Sequence, residues 1–376
     1  MRPTRALIST TAFHENLRFV RRRIGAGPII MAVIKANAYG HGLEIIAKAA
    51  IDSGEVGYFG VATEEEGLIL RSLTTLPIQV LTTAMDNEID AFIVHALDFT
   101  LCDYHQLEAI VARAAALGRK ARVHLKVDTG MRRIGVEPAD ALHFARTIAT
   151  HRNEIDFVGI STHFATSDEE GSAFFRKQLD IFASIVHTVR ADGISVPIAH
   201  AANSGAILQR PTETAFDMVR PGILLYGYAP SLQQHALHRH ELHAVLDLVS
   251  AVGFTKHIAA GEGVSYNLRW HATNPTNIAT VPAGYGDGYS RLLTGQAEAL
   301  IGGYRYPVRG TICMDQLMVE TGDVRVHIGD DVTLISSRDE ALDAWKIAER
   351  IGTIPYEVLT NITARVPRVI SERTTE

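Results

Sequence analysis

The chain has 376 residues and a mass of 41.0 kDa, too long for one small domain but suited to an α/β barrel of up to ~250 residues plus a smaller domain. Hydrophobic residues make up 47% and charged residues 21%, which excludes global disorder. The net charge of −6 and pI near 6.3 give no electrostatic reason for a nucleic-acid or anionic-membrane partner.

Residues 5–10 read as a leading strand, followed by a helix that closes on the solvated triplet Arg21, Arg22 and Arg23. Eight short apolar segments then recur, at 29–35, 58–63, 78–81, 99–103, 123–128, 157–163, 198–203 and 218–222. Periodic helical stretches separate them, at 43–53, 64–73, 103–117, 138–151 and 174–190, and Ile110, Val111 and Ala114 show the apolar stripe of a half-buried helix. Eight strands alternating with helices predict a closed (β/α)8 barrel of TIM type, with an open doubly wound sheet as the competing arrangement. After about residue 240 the texture changes. The segments 244–256, 278–281, 298–301, 306–309, 317–319 and 331–334 are strand-like and bounded by Gly or Asp turns, with one helix at 340–351. The fold class is therefore α/β plus β: an N-terminal barrel domain over 1–240, with its leading strand and helix free to pack on the second domain, and a β-rich C-terminal domain over 241–376. The polar, His-rich stretch 231–243 reads as a solvated linker.

Two cysteines, Cys102 and Cys313, leave no disulfide framework and no Cys-based zinc pattern. No apolar run reaches the ~18 residues that span a bilayer. The opening MRPTRALISTTAFHENL has no apolar core of a secretory signal, so the expected compartment is the cytoplasm.

In such a barrel the site lies at the C-terminal ends of the strands. Lys35 closes the first strand, where partial drying lowers an amine's pKa and makes it nucleophilic. The fifth strand supplies Lys126, Asp128 and Arg133, the sixth Thr162 and His163, the seventh His200, Asn203 and Ser204, and the eighth Arg220 and Gly222. Ser204 opening a helix and the bare N–H of Gly222 suit a phosphate. A reactive lysine opposite a phosphate cradle predicts a Schiff-base enzyme of the pyridoxal phosphate kind, with its reaction left open.

The segment AVIKANAYGHG resembles the cofactor-attachment motif of the alanine racemase family. DTGMRRIG, STHFA, HAANSG, VRPGILLYG, GVSYN, AGYGDGYSR, GTICMDQ and ARVPRVI also resemble family segments, in the family's order, from near residue 30 to near residue 370. The resemblance implies a barrel followed by a β-domain, a homodimer with shared active sites, and pyridoxal 5'-phosphate as cofactor. It implies that Lys35 holds the cofactor and is the base on the D-face, with Tyr266 of the second subunit as the opposite base. Arg220 would face the pyridine nitrogen, and His163 with Arg220 would begin the network that makes the phenol a better base. Tyr39, Ser204, Gly222, Ile223 and Tyr356 would hold the phosphate beside Asn203. Arg133 and the backbone N–H of Met314 would meet the substrate carboxylate. Lys126 matches a lysine often carbamylated in the family. Tyr285, Tyr289 and Asp315 would line the access channel. Arg133, rather than Arg132, aligns with the substrate-binding arginine through the Ile-Gly that follows.

Taken singly, His163 reads as a hydrogen-bonded core histidine, Lys126 as a salt-bridge partner, and Tyr266, Tyr285 and Tyr356 as ordinary tyrosines. The ordered series of segments outweighs those readings. The implied reaction is interconversion of L- and D-alanine, supplying D-alanine for peptidoglycan. The alternatives are a racemase of broader range, a decarboxylase of the same two-domain fold, and a non-enzymatic pyridoxal phosphate carrier. Arg220, where decarboxylases usually place a carboxylate, argues against the second, and the β-domain matches argue against the third.

Overall fold

A computed structural model describes residues 2–371. They divide into two compact units, one of residues 13–38 and 43–242 and the other of residues 2–12, 39–42 and 243–371.

Strand β1 (Arg5–Ile8) belongs to the second unit. The first unit is a closed parallel barrel of β2 (Ile29–Val33), β3 (Val56–Val61), β4 (Ile78–Val80), β5 (Leu97–Leu101), β6 (Ala121–Lys126), β7 (Ile155–Ser161), β8 (Ile198–His200) and β9 (Met218–Val219). All eight predicted strands are present, and β9 pairs back on β2 through Ile29 with Met218 and Ile30 with Val219. An open sheet is excluded by that pairing.

Helices begin and end where local chemistry dictates. Asp103 caps helix Tyr104–Leu117 by accepting from the N–H of Gln106, left-handed Gly118 ends it, and Leu107, Ile110 and Ala114 face the core. Predicted strands at 29–35, 157–163 and 198–203 run too far at their C-terminal ends. There Ile34, Thr162, Ala201 and Ala202 stay buried past the last paired residue, while Lys35, His163 and Asn203 are only partly covered, so the apolar run reports burial rather than a ladder.

The second unit contains a nine-stranded sheet. Its strands are β10 (Leu246–Ala251), β11 (Phe254–Ile258), β14 (Thr276–Val281), β15 (Glu298–Ile301), β16 (Tyr304–Arg309), β17 (Leu317–Gly322), β18 (Asp331–Ile335) and β19 (Arg368–Ile370), together with β1. A two-stranded ribbon, β12 (Gly263–Val264) with β13 (Trp270–His271), completes it. β1 lies between β10, antiparallel, and β19, parallel. The single strand expected at 244–256 is two: Gly253 breaks it, β10 pairs with β1 and β18, and β11 pairs with β14. The helix expected at 340–351 is also interrupted. Asp343 is extended and caps Ala344–Ile351 through the N–H of Trp345 at 2.7 Å, after a separate turn at Glu340–Leu342.

The His-rich stretch is not a bare linker. Leu232–His238 is a helix capped by Ser231, with His235 stacked on Tyr228 at 5.8 Å and His238 edge-on to Phe19 at 5.9 Å. Among the described residues no helix is long and apolar enough to cross a membrane.

Candidate active site

The backbone after β2 takes an unusual path. Residues 36–39 all have φ between 52° and 55°, a left-handed turn that costs about 1–2 kcal/mol for each residue with a Cβ. Specific bonds hold it. The N–H of Ala38 reaches the carbonyl of Ile34 at 2.8 Å, and the N–H of Leu43 reaches Oδ1 of Asn37 at 2.8 Å. Glu66 accepts from the N–H of Asn37 at 3.0 Å and from that of Ala62 at 3.0 Å. Lys35 therefore does not end the strand, which stops at Val33; it opens this turn. Burial and the Arg133 charge lower its amine pKa, while Glu66 opposes them.

Lys126 is the last residue of β6 and only 8% exposed. Burial, then the charges of Arg220 and Arg133, hold its amine well below the ordinary lysine value. The following loop is tightly knit. Asp128 Oδ1 accepts from the N–H groups of Gly130 and Arg132, and Thr129 Oγ1 lies 2.8 Å from Thr162 Oγ1. Arg132 turns outward to Glu137 at 2.5 Å. Arg133 instead lines a small recess with Lys126, Asp128, Met131, Ile134 and His163. That divergence distinguishes the neighbouring arginines: both are exposed, but of the two only Arg133 borders the recess.

His163, just past β7, is held well below the usual imidazole range by burial and then by the charges of Lys126, Arg220, Arg133 and Lys35. Arg220, just past β9, is 6% exposed. It donates to the carbonyls of Thr162 at 2.7 Å and Ala201 at 3.0 Å, to His200 Nδ1 at 2.9 Å and to His163 Nδ1 at 3.4 Å. Burial and Arg133 bring its pKa down to about 10. Five basic groups thus gather at one end of the barrel.

Nearby, Asn203 caps the short helix Ser204–Gln209 through the N–H of Ala206. Buried Ser204 accepts from the N–H of Gly222 at 3.1 Å and of Leu224 at 3.4 Å, while Ile223 begins the turn between them. Tyr39 and Tyr356 belong to the strand-rich unit, their rings 5.9 Å apart.

The remaining predicted residues also lie on the strand-rich unit. Tyr266 is 69% exposed, on a turn where Ser265 and Asn267 both have positive φ. Its carbonyl accepts from Thr311 Oγ1, and Ser265 Oγ lies 3.3 Å from Cys313 Sγ. The loop of Tyr285 joins the same cluster: its N–H reaches the Cys313 carbonyl, and that of Gly286 reaches the Met314 carbonyl. Met314 is 51% exposed, and Asp315 accepts from Arg365 at 2.7 Å. Tyr289, expected beside Tyr285 at an access channel, is instead buried. Sequence reasoning missed Glu66, which reaches the turn across space, and missed His124, the buried neighbour of His200 at 2.9 Å.

A family model described as the alanine racemase N-terminal domain matches residues 8–230, and one described as the C-terminal domain matches residues 245–370. An alanine racemase of Desulfovibrio desulfuricans is 40% identical over 373 residues, 99% of each chain. The structure of an alanine racemase from D-cycloserine-producing Streptomyces lavendulae superposes with a TM-score of 0.92 at 33% identity, covering 100% of this chain and 98% of that one. That of the Bacillus anthracis enzyme with bound L-Ala-P gives 0.92 at 32% identity, covering 99% and 96%.

Proposed function

The chain belongs to the alanine racemase family, and on that premise we propose that it interconverts L-alanine and D-alanine with pyridoxal 5'-phosphate held at the C-terminal end of the barrel. The observation that carries this is the convergence of Lys35, Lys126, Arg133, His163 and Arg220 there. The residues fit the cofactor. Ser204 already accepts two backbone N–H groups and keeps its own proton to donate to a phosphate. The low-basicity amine of Lys35 suits covalent attachment. When bound, pyridoxal phosphate supplies an aldehyde that bonds to amines and withdraws electrons from the substrate α-carbon.

The protein's part is to hold and move one proton. Lys35 Nζ would exchange the α-proton on the D-face. Tyr266, supplied by a second subunit, would exchange it on the opposite face; a phenol has a pKa near ~10, so it needs cationic support, which His163 and Arg220 would begin. Arg220 only donates and would keep the facing ring nitrogen unprotonated. Tyr39, Ser204, Gly222, Ile223 and Tyr356, beside Asn203, would hold the phosphate. Arg133 and the N–H of the partner chain's Met314 would hold the substrate carboxylate, with Tyr285 and Asp315 at the entrance. We propose a carbamylated Lys126 whose negative charge orients Arg133, a homodimer with shared sites, a cytoplasmic location, and a role in supplying D-alanine to peptidoglycan.

Incubation with pyridoxal phosphate and L-alanine in D2O tests the reaction. D-alanine carrying α-deuterium is expected. Bound cofactor with no D-isomer, or release of CO2, would overturn it. L-Serine, L-lysine and L-arginine in the same assay measure substrate breadth.

A further inference from the structure

Barrel interiors of this type are ordinarily filled by branched apolar side chains. Here a line of polar groups crosses the interior instead. Arg122, His124 and Lys126 alternate along β6 and so share one of its faces. Tyr58 on β3, Asp98 on β5 and His200 on β8 complete the line, and with His124 they are no more than 2% exposed. Arg220 Nη1 lies 2.9 Å from His200 Nδ1, and His200 Nε2 lies 2.9 Å from His124 Nδ1. His124 Nε2 lies 3.0 Å from the Tyr58 hydroxyl and 3.3 Å from Asp98 Oδ2. The Tyr58 hydroxyl donates to Asp98 Oδ2, and Arg122 Nε donates to Asp98 Oδ1 at 2.6 Å.

The donors fix the direction of every bond. A guanidinium has no acceptor, so His200 Nδ1 must accept from Arg220 and its proton sits on Nε2. His124 Nδ1 must then accept from His200, which places the His124 proton on Nε2, toward Tyr58 and Asp98. Two neutral imidazoles are thus aligned, each with its bare nitrogen toward Arg220 and its N–H toward Asp98. Burial pushes the Asp98 carboxyl up, but the bonds from His124 and Arg122 more than offset this and hold it below the ordinary range. Among the described residues, the hydrogen-bond partners of Arg220 include no carboxylate. The backbone also accommodates the line. A Cβ on Gly159 of β7 would lie 2.5 Å from His124 Nδ1, so only glycine leaves room for the ring.

We propose that Asp98 is the remote counter-charge of Arg220, and that Tyr58, His124 and His200 are positioning residues that carry its influence and fix the guanidinium at the cofactor end of the barrel. A buried polar chain works this way only when fully satisfied, since an unpaired member in low dielectric is costly and polarised neighbours strengthen one another. The proposal rests on the reading of Arg220 as the group facing the cofactor ring.

The test begins with holoenzyme carrying 15N-labelled histidine, its resonances assigned with His124→Gln and His200→Gln. At neutral pH both rings should carry the proton on Nε2, and a proton on Nδ1 of either would overturn the donor line. Asp98→Asn keeps the side-chain shape and removes the charge. It should shift the His200 resonances and lower kcat about three- to thirty-fold with KM changed less than about two-fold. Gly159→Ala removes no polar group but drives a methyl into His124, and should produce the same split if Asp98→Asn does not fold. An unchanged kcat in a folded variant of either kind would overturn the positioning role. The resonances are read without substrate, so failure of the donor line and failure of the racemase reading are separate results.

Discussion

Glu66 stands a helix and a strand away from Lys35 in the chain, yet its two carboxylate oxygens hold the N–H groups of Asn37 and Ala62. It also supports the protonated form of the Lys35 amine. Glu66→Gln keeps one acceptor oxygen and removes the charge. In the cofactor-free protein the pH midpoint for acylation of Lys35 should therefore fall, with Arg133 left unopposed, and the Asn37 amide should exchange faster. An unmoved midpoint would show that Glu66 is only a surface cap. Lys126 offers a second measurement. A buried amine held well below its ordinary pKa is a nucleophile toward CO2 at neutral pH. Native mass spectrometry should show the chain heavier by one CO2, lost on acid denaturation and absent from Lys126→Ala; a free amine would remove the assignment. Residues whose chemistry is their own, such as Lys35, Arg133 and Arg220, were legible in the sequence. Glu66, Asp98 and His124 were not, because their function is conferred by partners on other strands, and a polar residue within an apolar run does not announce which strand it will meet.

At the scale of elements, periodicity located all eight barrel strands but overran several of their ends, since residues such as Ile34, Ala201 and Ala202 stay buried past the ladder. The left-handed turn at residues 36–39 was invisible for a different reason. Ala and Tyr carry no signature of positive φ as glycine does, a lone Asn carries only a weak one, and the conformation is held by bonds from Glu66 and Leu43. Gly40, which follows, is the exception that its own chemistry explains. It has φ +84°, and a Cβ there would stand 2.1 Å from the carbonyl oxygen of Leu359. Gly40→Ala should therefore destabilise the strand-rich unit by more than about 2 kcal/mol, through strain and displacement of helix Pro355–Thr360. Denaturant unfolding followed by the fluorescence of Trp270 and Trp345 measures this. A change within about 0.5 kcal/mol, the range of an ordinary surface substitution, would show that the backbone relaxes freely.

For the whole molecule, the buried bases set the response to acid. Burial first, then neighbouring cations, hold His163 and His200 well below the imidazole value of 6.5, and burial brings His235 to about 4. In the unfolded chain all three titrate near 6.5. Their contribution to stability is full above that pH and is lost as pH falls toward the folded values, because the unfolded state then binds more protons. The contribution of Asp98 persists until pH falls below 3.8. The thermal midpoint should thus be lower at pH 5 than at pH 7.5, and equal midpoints would mean that these rings protonate in the folded state. Family resemblance alone assigns a second subunit's barrel to Tyr266, because no local pattern in the chain says which barrel this side chain will reach. Its 69% exposure, on a cluster with exposed Met314 and Tyr285, supports service to a second copy. Complementation decides between the two. A Lys35→Ala chain and a Tyr266→Phe chain should each be impaired alone. If Tyr266 acts in the partner's barrel, unfolding and refolding them together at equal concentration should restore about one quarter of the wild-type activity, since half the dimers are mixed and each mixed dimer has one intact site. If it acts within its own chain, every site keeps one defect and mixing restores nothing.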